Sequence, residues 1–349
     1  MALKVGVIGM GGLGAMHFNL LSGMDGVELV AVCDCRPEQM QPDKAEAGIN
    51  IETGGEGQAG LAEIRKYTDY RELLAAETLD VAIIATPTFL HKETVLAALA
   101  TGAHVLCEKP IALNSGDARE MVAAAQAAGR TLMVGHVIRF WPEYVLVKEM
   151  IDSGQFGHVR SAVFRRTGGV PTWGWEDWFL DSDRSGHAAI DLHVHDVDAV
   201  QWFFGQPASV TASGVFEPDG GCSHIVATYA FGDAALPSLV VAEGGWGPKG
   251  APFYMTLEVE FEAVSVVMDS RMSPTISVYY ADGQVTHPEV PERGGYELEL
   301  EYFVQCIAQG RGPDRCPATQ SANAVAIVES EVESARSGKP VTLLRSPVT

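Results

Sequence analysis

At 349 residues the chain is long for a single core, so about two domains with a sizeable buried interior are expected. Twenty-four Lys and Arg against 45 Asp and Glu leave a formal charge of -21, which repels nucleic-acid phosphates and anionic lipid and argues against both as partners. No apolar run reaches the roughly 18 residues of a membrane helix, and no charged leader precedes the first strand, so a cytoplasmic protein without a membrane partner is expected.

Val5 to Ile8 is a short apolar run of the kind found in a strand buried on both faces of a parallel sheet. It leads into Gly9-Met10-Gly11-Gly12-Leu13-Gly14, which fills the pattern G-x-G-x-x-G, and Ala15 to Leu21 continues as a helix. A pyrophosphate reaches backbone amides and the positive helix end only where no side chain intervenes. Gly9 therefore suits the tight turn, Gly11 the approach of the phosphates, and Gly14 the close packing of helix on strand. Val27 to Val32 reads as a second strand, and Asp34 follows it, 20 residues beyond Gly14, where a carboxylate can accept hydrogen bonds from an adenosine ribose. Asp34 favours NAD, because its charge repels a 2′-phosphate, while Arg36 keeps NADP open. Cys33 and Cys35 flank this position; with Cys107, Cys222, Cys306 and Cys316 they form no C-x-x-C pair and read as reduced thiols.

Arg36 to Gly60, with Pro37, Pro42 and Gly54-Gly55-Glu56-Gly57, reads as helix fragments and loop, and the segment Gln41 to Lys66 as an insertion. The alternation then resumes with a helix over Tyr70 to Ala76, a strand over Asp80 to Ala85 ending at Thr86-Pro87, and a helix from His91 to Thr101. A strand over His104 to Cys107 follows, ending in Glu108-Lys109-Pro110, then a helix over Asp117 to Ala128 and a strand over Thr131 to Gly135. Such a series is an α/β Rossmann domain, a doubly wound parallel sheet over residues 1–140. Ligands in this architecture sit beyond the carboxyl ends of the strands, where Thr86, His91, Glu108 and Lys109 fall.

The remainder, 141–349, reads as an α+β domain with a large, mostly antiparallel open sheet. Its predicted helices are Glu143 to Asp152, Ala188 to Phe204, Glu297 to Gln309 and Ser321 to Ser337. Its strands are Val159 to Thr167, Ser209 to Val215, His224 to Phe231, Leu236 to Glu243, Tyr254 to Phe261, Val264 to Asp269 and Ile276 to Tyr280. The loop Val170 to Leu180 holds Trp173, Trp175 and Trp178, half of the chain's six tryptophans, either as aromatic packing over the sheet or as a sugar-stacking platform. In the helix from Ala188, Asp191 and His195 share a face at i and i+4, with His193 turned away. Histidines at i and i+2 diverge by roughly 200°, which argues against a metal site.

These motifs together resemble the glucose-fructose oxidoreductase, inositol dehydrogenase and MocA family. The resemblance rests on Gly9 to Gly14, Asp34, Thr86-Pro87 with His91, Glu108-Lys109-Pro110, and Asp191-Leu192-His193-Val194-His195-Asp196-Val197-Asp198 followed by Trp202 and Gly205-Gln206-Pro207. It implies an NAD(P)-dependent oxidoreductase acting on a hydroxyl or ketone carbon of a sugar, inositol or related polyol. It also implies a homodimer or homotetramer formed through the C-terminal sheet. The resemblance gives Gly9, Met10, Gly11, Gly12, Leu13, Gly14, Asp34, Arg36, Thr86, Pro87, His91, Glu108 and Lys109 to the cofactor. Lys109 and His195 then work on the reacting oxygen, and Asp191 binds substrate or assists the histidine. Histidine suits the base because its ordinary pKa lies near neutrality. After Gly135 the chain departs from the family pattern, with His136-Val137-Ile138-Arg139-Phe140, so Arg139, Trp173 and Trp178 are the substrate candidates. Two other readings remain open: a glycosidase that uses NAD transiently, and a ligand-sensing family member without catalysis.

Overall fold

The computed structural model describes residues 2–41 and 60–343. Two compact units divide the chain. Unit 1 is Met1–Val137 with Tyr296–Ala322, and unit 2 is Ile138–Gly295 with Asn323–Thr349.

Unit 1 carries six strands: β1 Leu3–Ile8, β2 Val27–Cys33, β3 Arg65–Tyr67, β4 Val81–Ile84, β5 His104–Cys107 and β6 Leu132–Val134. All are parallel, in the order β3-β2-β1-β4-β5-β6. The order reverses between β1 and β4, and that switch point opens the crevice in which doubly wound sheets bind ligands. Val5, Val7, Ile8, Ile83, Ile84, Val105 and Leu106 are buried, the continuous apolar pattern of strands covered on both faces. The helices are α1 Gly12–Ser22, α2 Tyr70–Ala76, α3 His91–Ala100 and α4 Ser115–Ala128. The fourth begins earlier than the apolar spacing suggests because Asn114 caps it, accepting the Asp117 N–H at 2.8 Å. Arg65 and Lys66, expected at the end of an insertion, belong with Tyr67 to an edge strand beside β2; residues 42–59 of that expected insertion lie outside the described residues.

Unit 2 holds helices α5 Pro142–Ser153, α6 Ser182–Ser185, α7 His187–Asp191 and α8 Val194–Phe204. Its strands are β7 Val159–Gly169, β8 Ser209–Phe216, β9 Cys222–Ala230, β10 Leu239–Gly247, β11 Tyr254–Phe261, β12 Val264–Asp269, β13 Ile276–Tyr280 and β14 Val285–Thr286. With β15 Val341–Thr342 they form a nine-stranded sheet, β14-β13-β12-β11-β7-β10-β9-β8-β15, antiparallel except where β10 lies parallel to β7. Alternate residues are buried, among them Phe164, Ile225, Ala227, Tyr229, Val240 and Leu257, while Val226, Leu239 and Tyr279 are exposed on the opposite face. No described helix is long and apolar enough to cross a membrane.

Three sequence expectations change. The strand expected over Leu236 to Glu243 is β10, which starts at Leu239 and runs on through Gly244 and Gly245 to Gly247. Both are needed there, since a Cβ would lie 2.6 Å from the His193 Cβ and 2.2 Å from the His224 Nδ1 respectively. The helix expected over Ala188 to Phe204 is broken: the N–H groups of Leu192 and His193 both donate to the Ala188 carbonyl, and the His195 N–H returns to Leu192. Finally, α9 Gly295–Ala308, expected in the second domain, groups from Tyr296 onward with unit 1, together with Pro317, which bridges to Met133 of β6. Helix α10, Ala318–Ser337, is divided between the units after Ala322. Apolar periodicity marks a helix face without saying which sheet it covers.

Candidate active site

The glycine turn of unit 1 has the shape its sequence requires. Gly9 adopts φ +92°, and a Cβ on Gly14 would stand 1.7 Å from the Gly9 carbonyl oxygen, so only glycine lets α1 pack against the turn. A Cβ on Gly11 would meet nothing within 4 Å. Helix α1 starts at this opening with no side chain capping its first N–H groups, which leaves donors and the positive helix end for an anion. Asp34 stands at the end of β2, 7% exposed, and is held in place: Oδ2 accepts the Met10 N–H and Oδ1 the Arg36 N–H, both at 2.9 Å. The Arg36 Nε lies 3.5 Å from Oδ1. A fixed carboxylate beside an uncapped helix end is the donor and acceptor set that a dinucleotide requires, so these residues fit the cofactor.

At the ends of β4 and β5, His91 acts as a clasp. Its Nε2 lies 2.8 Å from the Thr86 carbonyl and its Nδ1 2.8 Å from that of Pro110, so it ties together the two segments carrying Thr86-Pro87 and Glu108-Lys109-Pro110. Burial pushes its pKa down, against those two carbonyls. Glu108 is buried, and its Oε1 accepts from the His17 Nε2 at 2.6 Å while Oε2 accepts the Lys109 N–H at 3.1 Å. Burial raises the Glu108 pKa, but the hydrogen bond and charge of His17, with the Lys109 charge, outweigh it and hold the carboxyl below its ordinary range. His17 is not singled out by the sequence motifs. The available signal is its place on α1, one turn beyond Gly14 and so on the face packed against the sheet. The structure thus sets His91 and Glu108, expected as cofactor contacts, among hydrogen bonds that shape the Lys109 backbone.

In unit 2, Asp191 closes α7 and His195 is the second residue of α8, both nine-tenths or more buried. Their expected same-face relation presupposes one helix; here the turn at Leu192 and His193 sets it. His193 does point away: its Nε2 lies 3.0 Å from Glu331, whose other oxygen accepts the Tyr229 hydroxyl at 2.7 Å. The neighbouring acids are structural as well. Asp196 makes a forked pair with Arg166, and Asp198 one with Arg139 at 2.7 and 2.8 Å. Arg139, expected as a substrate contact, is 1% exposed, and that pair accounts for its charge within the core. Among the described residues no group of three or more His, Cys, Asp or Glu could hold a metal ion. In the tryptophan loop, Trp178 stacks on Phe179 at 4.0 Å, Trp173 meets the same ring edge-on at 6.2 Å and is 42% exposed, and Phe179 lies edge-on to Trp246 at 6.2 Å. Packing and an exposed aromatic surface coexist there.

Residues 3–136 match the profile of an oxidoreductase family with an NAD-binding Rossmann fold, and residues 144–267 that of the GFO/IDH/MocA C-terminal domain. The chain belongs to the GFO/IDH/MocA family. Similar family members include an uncharacterized oxidoreductase of Streptococcus pneumoniae, 35% identical over 61% of this chain and 53% of that protein. A 2,7-anhydro-N-acetylneuraminate hydratase of Mediterraneibacter gnavus is 33% identical over 65% of this chain and 54% of its own length. The chain therefore spans about half the length of these curated relatives. A solved levoglucosan dehydrogenase, in complex with NADH and levoglucosan, superposes with a TM-score of 0.82 at 20% identity over 98% of this chain and 99% of the other, a likeness of fold.

Proposed function

We propose that this GFO/IDH/MocA chain is an NAD-dependent dehydrogenase that moves hydride between nicotinamide and a hydroxyl-bearing or ketone carbon of a sugar, inositol or related polyol. The observation that carries this reading is the open, uncapped start of α1 above Gly11, with Asp34 fixed beside it by the Met10 and Arg36 amides. Gly9 to Gly14 would hold the pyrophosphate and Asp34 the adenosine ribose, and the bound nicotinamide would supply the hydride acceptor or donor. Asp34 favours NAD, and Arg36, exposed enough to swing outwards, gives NADP a weaker foothold.

Oxidation of a carbinol leaves a proton on oxygen. His195 takes it, being the side chain whose ordinary pKa needs least tuning. Lys109, carried on a backbone fixed by Glu108 and His91, donates a hydrogen bond to the developing alkoxide and stabilises its charge. Asp191 binds substrate or orients the histidine. Six free thiols among the described residues agree with a cytoplasmic setting, and the exposed apolar positions of the nine-stranded sheet with a homodimer or homotetramer.

The test is reduced-nicotinamide absorbance from purified protein given NAD and a panel of inositols, hexoses and pentoses. A second reading, a sugar-processing enzyme that oxidises and re-reduces its substrate with no net hydride, is favoured by the similarity to a hydratase. Silence with every polyol, together with cleavage of a chromogenic glycoside, would replace the first reading by the second.

A further inference from the structure

Unit 2 carries an open groove of about 750 Å³ at one end of its sheet, among the β8–β9 turn, the end of β10 and the tryptophan loop. That volume lies within the range of small-ligand sites. One part of its lining is apolar, formed by Trp246, Leu180 and Val170, with Phe179 edge-on behind the indole. Another part is polar, formed by His187, Asp219 and Glu217.

His187 is built into this lining. It holds φ +56°, a conformation that residues bearing a Cβ seldom adopt and that recurs at ligand sites. Its ring lies where Gly221 has no side chain, since a Cβ there would stand 2.0 Å from the His187 Cδ2. Its Nε2 donates to Asp219 Oδ2 at 2.9 Å, and the amides of Ser182 and Gly221 hold the same carboxylate at 3.0 Å. The Gly221 amide first, and then the His187 hydrogen bond, bring Asp219 down to about 2, so it is an acceptor at neutral pH. Nε2 therefore presents a proton to this carboxylate, which fixes the ring in the lining. His187 also opens α7 and Asp191 closes it four residues later, so both are carried on one short helix.

We propose that the groove is a subsite for a second, uncharged sugar ring. The substrate is then a disaccharide or glycoside, with the reacting ring at Asp191 and the neighbouring ring stacked on Trp246, its hydroxyls bound by His187 and Asp219. The assignment of the reacting ring rests on the hydride-transfer reading; the subsite itself does not. An indole plate bordered by an imidazole and a carboxylate matches a pyranose, whose C–H face is apolar and whose edge is hydroxylated. Asp219 and Glu217 repel a sugar acid or phosphate in the same place.

Calorimetric titration of the full chain with NAD bound tests this with glucose, galactose, their α- and β-linked disaccharides, and the same disaccharides with a uronic acid as the second ring. At least one neutral disaccharide should bind about tenfold more tightly than either component sugar, and its acidic counterpart should lose that preference. The disaccharide-to-monosaccharide ratio should fall to within about twofold of unity in Trp246→Ala and His187→Gln, and largely return in Trp246→Phe, with melting curves checking that each variant is folded. Absence of any disaccharide preference, its survival in both variants, or equal binding of the acidic analogue would overturn the subsite. Preferential disaccharide binding with no nicotinamide absorbance would refute hydride transfer and leave the subsite standing. Absorbance with monosaccharides alone would do the reverse.

Discussion

Asp198→Ala removes the carboxylate that faces Arg139 in the core of unit 2. Both side chains are 1% exposed, and the pair is forked, Nε to Oδ2 at 2.8 Å and Nη2 to Oδ1 at 2.7 Å. Burying two charges costs about as much as their attraction returns, so the pair itself adds little, but taking away one member strands the other. Truncation of one partner of such a pair costs about 3–5 kcal/mol. In a unit of this size each kcal/mol moves the midpoint by about 2–4 °C, so the melting temperature should fall by roughly 10 °C. The pair Arg139→Met with Asp198→Leu replaces both charges by apolar groups and should recover most of that loss. Circular-dichroism melts of the wild type, both single variants and the double variant measure this directly. An Asp198→Ala melt within about 2 °C of wild type, or a double variant no better than the single, would refute the reasoning. If Arg139 bound substrate instead, Arg139→Met would raise KM and leave the melt unchanged.

Gly14→Ala places a methyl against the Gly9 carbonyl, and equilibrium binding should show NAD affinity reduced by about tenfold or more; an unchanged Kd would remove the turn from the pyrophosphate role. In Asp34→Ala the ratio of NADP to NAD turnover should rise, since the charge that repels a 2′-phosphate is gone, and a constant ratio would sink that assignment. His195→Ala should lower kcat by roughly 10²–10⁴ with NAD affinity nearly unchanged; matching losses in both would make His195 a structural residue. Asp219 has a folded pKa of about 2, below its ordinary 3.8, so as pH falls the unfolded chain takes the proton first. Its stabilisation is complete above about pH 4 and fades between 3.8 and 2, so the melting advantage of wild type over Asp219→Asn should shrink across that window, and a constant advantage would contradict it.

Much of the nucleotide-binding unit is legible in the order of its residues. The glycine turn, the apolar strands and Asp34 sit within short stretches whose backbone demands are local, and alternating strands and helices announce the parallel sheet observed as β3-β2-β1-β4-β5-β6. The second unit is less legible. Its alternating strands announce a half-buried sheet, but Gly244 and Gly245 conceal the extension of β10 that carries Trp246 into the groove, because glycine signals a turn unless something is known to lie against it.

The roles of the charged and imidazole side chains separate the two kinds of information most clearly. Glycine spacing and apolar period depend on neighbours a few residues away, so the sequence alone determined a dinucleotide turn, a parallel sheet and a second, mostly antiparallel one. Whether a histidine or arginine is a tool or a brace depends on what faces it across the core. His17 finds Glu108 91 residues on, Arg139 finds Asp198 59 residues on, and His193 finds Glu331 138 residues on. Strand order and helix packing bring those partners together, and burial makes each pair obligatory, so only the tertiary structure could assign Arg139 and His193 to the scaffold and bring His187 to a ligand groove.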